Sequence, residues 1–214
     1  MTGKADFRNS FSGGTAASLA GVMLAPAFAY RDGRVVSERS AKRLRSFDVG
    51  GGEQSTAVTI GSSEHFALPN VYPSLREVEA YLGWFGPLSR ALQGMSLLGE
   101  IPGARAGADA LARRFVKGST GGPGPEARAK TRSLVVAEAY DSSDRMLERV
   151  QLDGPNGYTF TGDILAWGAQ HAAEHGFEAT GALGPVEAFG LRALEAGCAE
   201  AGLNERATAK TEAG

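Results

Sequence analysis

Gly50-Gly51-Gly52 stands between two short strand-like runs, Leu44 to Val49 and Thr56 to Ile60, and a chain written that way folds the second run back on the first. A longer hairpin reads at Ser133 to Tyr140 and Arg145 to Leu152, turned by Asp141-Ser-Ser-Asp144, whose short polar side chains favour a reversal. Between the two, Glu77 to Phe85 alternates. Val78, Ala80, Leu82 and Trp84 point one way, and Glu79, Tyr81, Gly83 and Phe85 the other, as in a strand with both faces in use.

The remaining segments have helical character. Gly13 and Gly14 feed an alanine-rich helix that ends near Pro26, with Ser12 or Thr15 as its cap. After Pro87 the pattern is helical to about Leu98, and a second helix, Ala104 to Val116, closes in the linker Gly118 to Pro125, so that residues 87–125 read as a helical lobe. Helices follow from about Thr161 to His175 and from Pro185 to Ala201, the latter with Pro185 at its first position and Gly202 as its stop. It carries Val186, Phe189, Leu194, Cys198 and Ala201 at helical spacing and wants a partner surface. Residues 204–214 are polar, lack periodicity and read as a disordered tail.

Composition narrows the function classes. At 214 residues and 43% hydrophobic content the chain can bury a core, as one domain or one domain plus a small lobe. Lys and Arg number 22 against 24 Asp and Glu, a net charge of -2, so no overall field draws the chain to nucleic acid or anionic lipid. The single cysteine, Cys198, rules out an intramolecular disulfide or a cysteine-rich zinc site and fits a reducing cytoplasm. The apolar run Ala16 to Ala29, behind Lys4 and Arg8, imitates a signal peptide. Asp6 in the basic region, Pro26 within the run and the helix start at Ser12 to Thr15 argue against that reading. No apolar run approaches the roughly 20 residues that span a bilayer.

Two segments stand out as chemistry. Ser62-Ser-Glu-His-Phe-Ala-Leu-Pro69 sets His65 beside Glu64, and an imidazole next to a carboxylate can act as a general base or hold a substrate carbonyl. A histidine fixing a turn would read the same. Tyr72, Tyr81 and Trp84 are aromatic residues of the kind that line a pocket for a mostly apolar substrate, or pack a core. Ser12-Gly13-Gly14-Thr15, at a helix start, suits a phosphate or carboxylate and equally a plain cap. His171 and His175 are four apart with Glu174 beside them, a chelating spacing that lacks a third ligand and reads as a solvated face. Cys198 has no activating neighbour in sequence and reads as packing. The charge run Arg39 to Arg45 reads as a solvated edge or as steering for an anionic substrate.

Taken in order, Phe11-Ser-Gly-Gly-Thr-Ala-Ala-Ser18, Gly61 to Pro69, Tyr81-Leu-Gly-Trp-Phe-Gly86, Gly157-Tyr-Thr-Phe-Thr161 and Gly181-Ala-Leu-Gly-Pro-Val-Glu-Ala-Phe-Gly190 resemble the C-terminal half of saccharopine dehydrogenase-like oxidoreductases, in the branch with trans-acting enoyl reductases. The resemblance covers residues 7 to 203. It implies an α+β substrate-binding and dimerisation domain over 1–203, a mostly antiparallel or mixed sheet covered by helices with the small helical lobe beside it. In the family this half follows an N-terminal Rossmann domain. By the resemblance His65, Tyr81 and the Ser12 to Thr15 turn line the substrate side; with the residues read above, the candidate catalytic positions are His65, Glu64 and Tyr81, and the candidate substrate positions are Ser12, Gly13, Gly14, Thr15, Ser63, Tyr72, Trp84 and Tyr158.

A dinucleotide fingerprint needs a strand, then G-x-G-x-x-G, then a helix. The nearest approach, Gly122-Pro-Gly-Pro-Glu-Ala127, has prolines inside it and no strand before it, so no cofactor or metal is expected on this chain alone, although the family uses NAD(P). Met1 falls where the family's second half would start, which reads as a dissected piece or a naturally short protein. Three functions follow. The first is the substrate half of an oxidoreductase acting on a small, mostly apolar molecule in the cytoplasm, as a homodimer or with a Rossmann-bearing partner. The second is a cofactor-independent isomerase, cyclase or lyase using Glu64 and His65. The third is a non-catalytic subunit docking on a Rossmann-bearing protein.

Overall fold

The computed structural model describes residues 26–83, 86–97 and 122–206. Ser12 to Thr15, the helix expected up to Pro26, Trp84, Phe85, the helix expected over Ala104 to Val116 and residues 207–214 lie outside the described residues. The described chain is α+β, with helices and three separate antiparallel sheets. It divides into two compact units, residues 1–122 with 179–188, and residues 123–178 with 189–214.

The first unit opens with a hairpin that sequence reasoning missed: β1 (Pro26–Arg31) pairs with β2 (Arg34–Arg39). Its signal is Asp32-Gly33, which takes positive φ at both positions (50° and 78°), the backbone that a two-residue hairpin turn requires and that Asp-Gly favours. The Gly50 hairpin forms as expected, from β3 (Leu44–Gly50) and β4 (Glu53–Ile60), with Gly51 and Gly52 at φ 67° and 78°. β5 (Ala80–Leu82) adds to β4 and is shorter than the strand expected over Glu77 to Phe85; Val78 contributes an isolated bridge to Tyr30 of β1.

Between β4 and β5 lies a helix where a strand-to-loop turn was expected, α1 (Glu64–Val71). Pro69 inside it and the lack of an apolar stripe hid it. A 3-10 turn (Gly86–Leu88) leads into α2 (Ser89–Ser96), which sits on the sheet through polar contacts. Ser89 Oγ donates to the Thr56 carbonyl at 3.0 Å, Gln93 Nε2 to the Lys42 carbonyl at 3.0 Å, and Arg39 to Ser96 Oγ at 2.5 Å. The buried centre is small: Ala41 and Val58, with Leu44, Ile60, Leu82 and Leu92 packed against them.

In the second unit a five-residue helix, α3 (Pro125–Ala129), precedes β6 (Ser133–Tyr140) and β7 (Met146–Gly154), the second expected hairpin. Asp141 Oδ1 accepts from the Ser143 and Arg145 amides at 2.9 and 3.1 Å and so builds the turn. α4 (Gly157–His175) begins four residues before the expected Thr161, because Asn156 Oδ1 accepts the Tyr158 N–H at 2.9 Å as a cap.

The single helix expected over Pro185 to Ala201 is two. α5 (Pro185–Phe189) belongs to the first unit up to Ala188, and α6 (Leu191–Glu200) to the second. Gly190 separates them at φ 75°, a conformation that no residue with a Cβ adopts cheaply. Gly202 does stop α6, in a Schellman arrangement: Leu203 N–H bonds the Cys198 carbonyl at 2.8 Å and Gly202 N–H the Ala199 carbonyl at 3.0 Å. Asn204 and Glu205, expected in the disordered tail, instead form β8 (Asn204–Glu205) against β7. Backbone hydrogen bonding to an open strand edge orders a polar segment that its side chains alone do not.

Candidate functional site

His65 is the most deeply buried polar residue of α1, at 1% exposure. It occupies the first turn and reaches back toward the chain ahead of the helix. Its Nδ1 lies 3.1 Å from the Ser62 amide nitrogen and 2.9 Å from the Ser62 carbonyl oxygen. The main chain therefore offers this ring nitrogen both a donor and an acceptor, and it fixes the ring without settling the tautomer. Phe28 of β1 meets the imidazole edge-on, with ring centres 5.6 Å apart, and itself packs on Phe66 at 4.9 Å. Nε2 has no hydrogen bond among the described residues.

The expected pairing of His65 with Glu64 is corrected by the structure. Glu64 is exposed, its carboxylate accepts from the Ser63 hydroxyl at 3.4 Å, and no hydrogen bond joins it to His65 among the described residues. Adjacent residues on a helix project about 100° apart, so sequence neighbours do not share a face.

His65 contributes to an open cleft of about 400 Å³ that lies between the β1–β2 hairpin and α1. Tyr30, Val35, Phe66, Pro69, Asn70 and Pro73 complete its lining. Val35 and Phe66 keep 42% and 49% of their surface exposed, an uncovered apolar wall. Asn70 is oriented by Glu187, whose Oε1 accepts from Asn70 Nδ2 at 3.2 Å while Oε2 accepts the Gly184 N–H at 2.8 Å. Gly184 is required there, since a Cβ would come 2.7 Å from that of Ala67 on α1. The cleft is thus braced on one side by the segment before α5.

On the opposite side His65 shares a cavity of about 10 Å³ with Thr59, Glu38, Arg43 and Glu79. These charged residues belong to a closed ring of ion pairs that sequence reasoning missed. Arg31 meets Glu38 at 3.6 Å and also pairs with Glu79; Arg43 meets Glu38 at 2.5 Å and Glu79 at 2.7 Å. The Arg43 Nε contact with Glu79 is ionic, since its N–H is not aligned for a hydrogen bond. Burial raises the carboxyls of Glu38 and Glu79, but the arginine contacts, and for Glu79 the Tyr81 hydroxyl, outweigh it and hold both below the ordinary carboxylate range. The available signal was the alternation Glu77, Glu79, Tyr81, which places three polar groups on one face of a strand.

Tyr81 is anchored to this ring by its hydroxyl, which donates to Glu79. Burial and the adjacent carboxylate push its phenol up to about 12, so it stays protonated throughout the neutral range and acts as a donor. Phe47 packs edge-on against it at 5.3 Å. The run Arg39 to Arg45 is corrected as well. Arg39 and Arg43 are tied to Ser96, Glu38 and Glu79, and Arg45 lies 5.1 Å over the Phe47 ring, so this is not simply a solvated edge.

The other expected site residues are placed as follows. Ser63 precedes α1 and spends its hydroxyl on Glu64. Tyr72 follows α1, half-exposed, with its N–H on the Leu68 carbonyl. Tyr158 lies in the second unit, in the first turn of α4. His171 and His175 stack face to face at 4.5 Å with planes 21° apart, and His171 stacks in turn on Trp167. Among the described residues no group of three or more His, Cys, Asp or Glu is placed to hold a metal ion. Burial pushes the Cys198 thiol up, away from the reactive thiolate. Among the described residues no helix is long and apolar enough to cross a membrane.

No protein-family model matches the chain, and it matches no curated protein and no solved structure.

Proposed function

We propose that this chain is the substrate-binding and dimerisation part of a saccharopine dehydrogenase-like oxidoreductase, whose NAD(P)-binding domain is supplied from outside these 214 residues. The observation that carries the reading is His65 in the lining of the apolar cleft, with Nδ1 held on the Ser62 backbone and Nε2 without a hydrogen bond among the described residues. The segment that builds this arrangement, Gly61 to Pro69, is also one of the family-like stretches. In this role His65 binds or protonates the substrate oxygen, and the Tyr81–Glu79 ring supports the strand beside it.

The reading keeps redox chemistry off the isolated chain, because hydride transfer needs a bound nicotinamide and the sequence lacks a strand-flanked glycine fingerprint. The cofactor-independent alternative relied on Glu64 as the partner of His65, and Glu64 bonds Ser63 instead.

Titration of NADPH and NADH into the purified chain, followed by nicotinamide fluorescence, tests the proposal. No saturable binding is expected with the chain alone, whereas nucleotide oxidation is expected once a Rossmann-bearing partner of this oxidoreductase type is added. Micromolar binding to the chain alone would remove the need for an outside domain.

A further inference from the structure

The lining of the cleft carries a statement about its ligand. Tyr30, Val35, Phe66, Pro69 and Pro73 present rings and branched carbon, and His65 and Asn70 are the other described side chains of the lining. Among the described residues no Asp, Glu, Lys or Arg lines it, although such residues are plentiful close by. Glu38, Arg43 and Glu79 are committed to their own ion-pair ring around the smaller cavity. A carboxylate, phosphate or ammonium laid against this wall would give up part of its hydration and meet no counter-charge among the described residues, which disfavours it against a neutral group. At about 400 Å³ the cleft falls in the range of small-molecule sites.

The polar end of the ligand is set by His65. When the Ser62 N–H donates to Nδ1, the proton sits on Nε2, which then donates to a carbonyl oxygen. When Nδ1–H donates to the Ser62 carbonyl, Nε2 is bare and accepts from a hydroxyl. The two backbone contacts are nearly equal, at 3.1 and 2.9 Å, so the ring serves either partner without moving.

We infer that the cleft takes an uncharged, compact apolar molecule bearing a ketone or the corresponding alcohol, and excludes amino acids, carboxylates and phosphates. This rests on the reading of the His65 cleft as the substrate site and restricts that reading. An amino-acid substrate, which the family's name would suggest, is excluded. The pyrophosphate of a nicotinamide dinucleotide is excluded from this cleft on the same grounds.

A matched pair of fluorescent probes tests it on the whole chain: 6-propionyl-2-dimethylaminonaphthalene, a neutral ketone, and 1-anilinonaphthalene-8-sulfonate, an anion on the same ring system. The ketone is expected to bind one to one and at least about tenfold more tightly than the sulfonate, equivalent to 1.4 kcal/mol. Phe66→Asp and Val35→Asp, both at half-exposed positions that tolerate a charge in the folded chain, should weaken the ketone about tenfold or more. His65→Asn keeps a polar atom near Ser62 and should weaken it several-fold while circular dichroism stays unchanged. If the sulfonate binds as tightly as the ketone and both respond to Phe66→Asp, the charge rule is wrong and the site stands. If neither probe binds, or neither responds to any of the three substitutions, the cleft is not the site and both the inference and the reading beneath it fall.

Discussion

Gly197 of α6 lies flat against the indole of Trp167 on α4, so closely that a methyl group added at Gly197 would overlap Cε2 and Cδ2 and come within 2.6 Å of Cζ2. The two helices meet at this pair with no room for a side chain on one of them. Trp167 also packs on Phe189 at 5.3 Å and on His171 at 5.0 Å, contacts that any retreat of the indole would disturb.

Gly197→Ala is therefore expected to destabilise the second unit by about 1–3 kcal/mol, the usual cost of overpacking. Alanine is the better helix former by about 1 kcal/mol, so a purely local effect would have the opposite sign. Urea unfolding followed by Trp fluorescence decides between them.

The ring of Arg31, Glu38, Arg43 and Glu79 gives the first unit an acid limb. Both carboxyls sit lower in the folded chain than the ordinary value of 4.5, so the unfolded chain takes up protons first as pH falls. Their stabilisation is complete above pH 4.5 and is lost as pH drops through the folded values below it. Glu38→Gln should cost about 1–2 kcal/mol at neutral pH, in keeping with lost hydrogen bonds to charged groups, and much less in acid. Stability measured from pH 3 to 7 should show a flatter curve for the variant; parallel curves would remove Glu38 from the acid response.

Tyr81 provides a readout at the alkaline end. Its phenol is raised from 10.0 to about 12, so the folded chain keeps this proton after the unfolded chain has lost it. The contribution is complete below pH 10 and is lost as pH rises through about 12. Phenolate absorbance of the wild type minus that of Tyr81→Phe isolates this residue, and Glu79→Gln should bring its titration back toward the ordinary tyrosine range. A titration that ignores Glu79→Gln would contradict the Tyr81–Glu79 contact.

His65 has a structural and a chemical share that two substitutions separate. His65→Ala removes the Nδ1 link to Ser62 and leaves a cavity against Phe28, for an expected loss of about 2–4 kcal/mol. His65→Asn retains a polar group near Ser62 and should recover half or more of that loss while still lacking Nε2. Ligand binding that survives in His65→Asn would reduce His65 to a structural residue.

Much of this was legible in the chain. Gly50 to Gly52 and Asp141 to Asp144 demanded reversals because few other backbones suit those residues, and both hairpins formed. Gly202 ended α6 because a left-handed residue closes a helix wherever it lies. The hairpin at Asp32-Gly33 was equally readable and was masked by the apolar run leading into it. α1 was not readable in this way, since Pro69 and mixed polarity give no helical stripe. The helix stands on contacts made from outside it: Phe28 on His65, Gly184 on Ala67 and Glu187 on Asn70.

By itself the sequence determined the local reversals, the helix ends and the presence of an unusual histidine segment, because each depends on backbone preferences within a few residues. Only the tertiary structure decided the partners. Ser62 rather than Glu64 holds His65, and Arg31 and Arg43 are drawn into a ring with Glu38 and Glu79 from residues up to 48 positions apart. Charged and polar side chains take whichever partner the packed strands bring within reach once water is excluded, and no local pattern in the chain encodes that meeting.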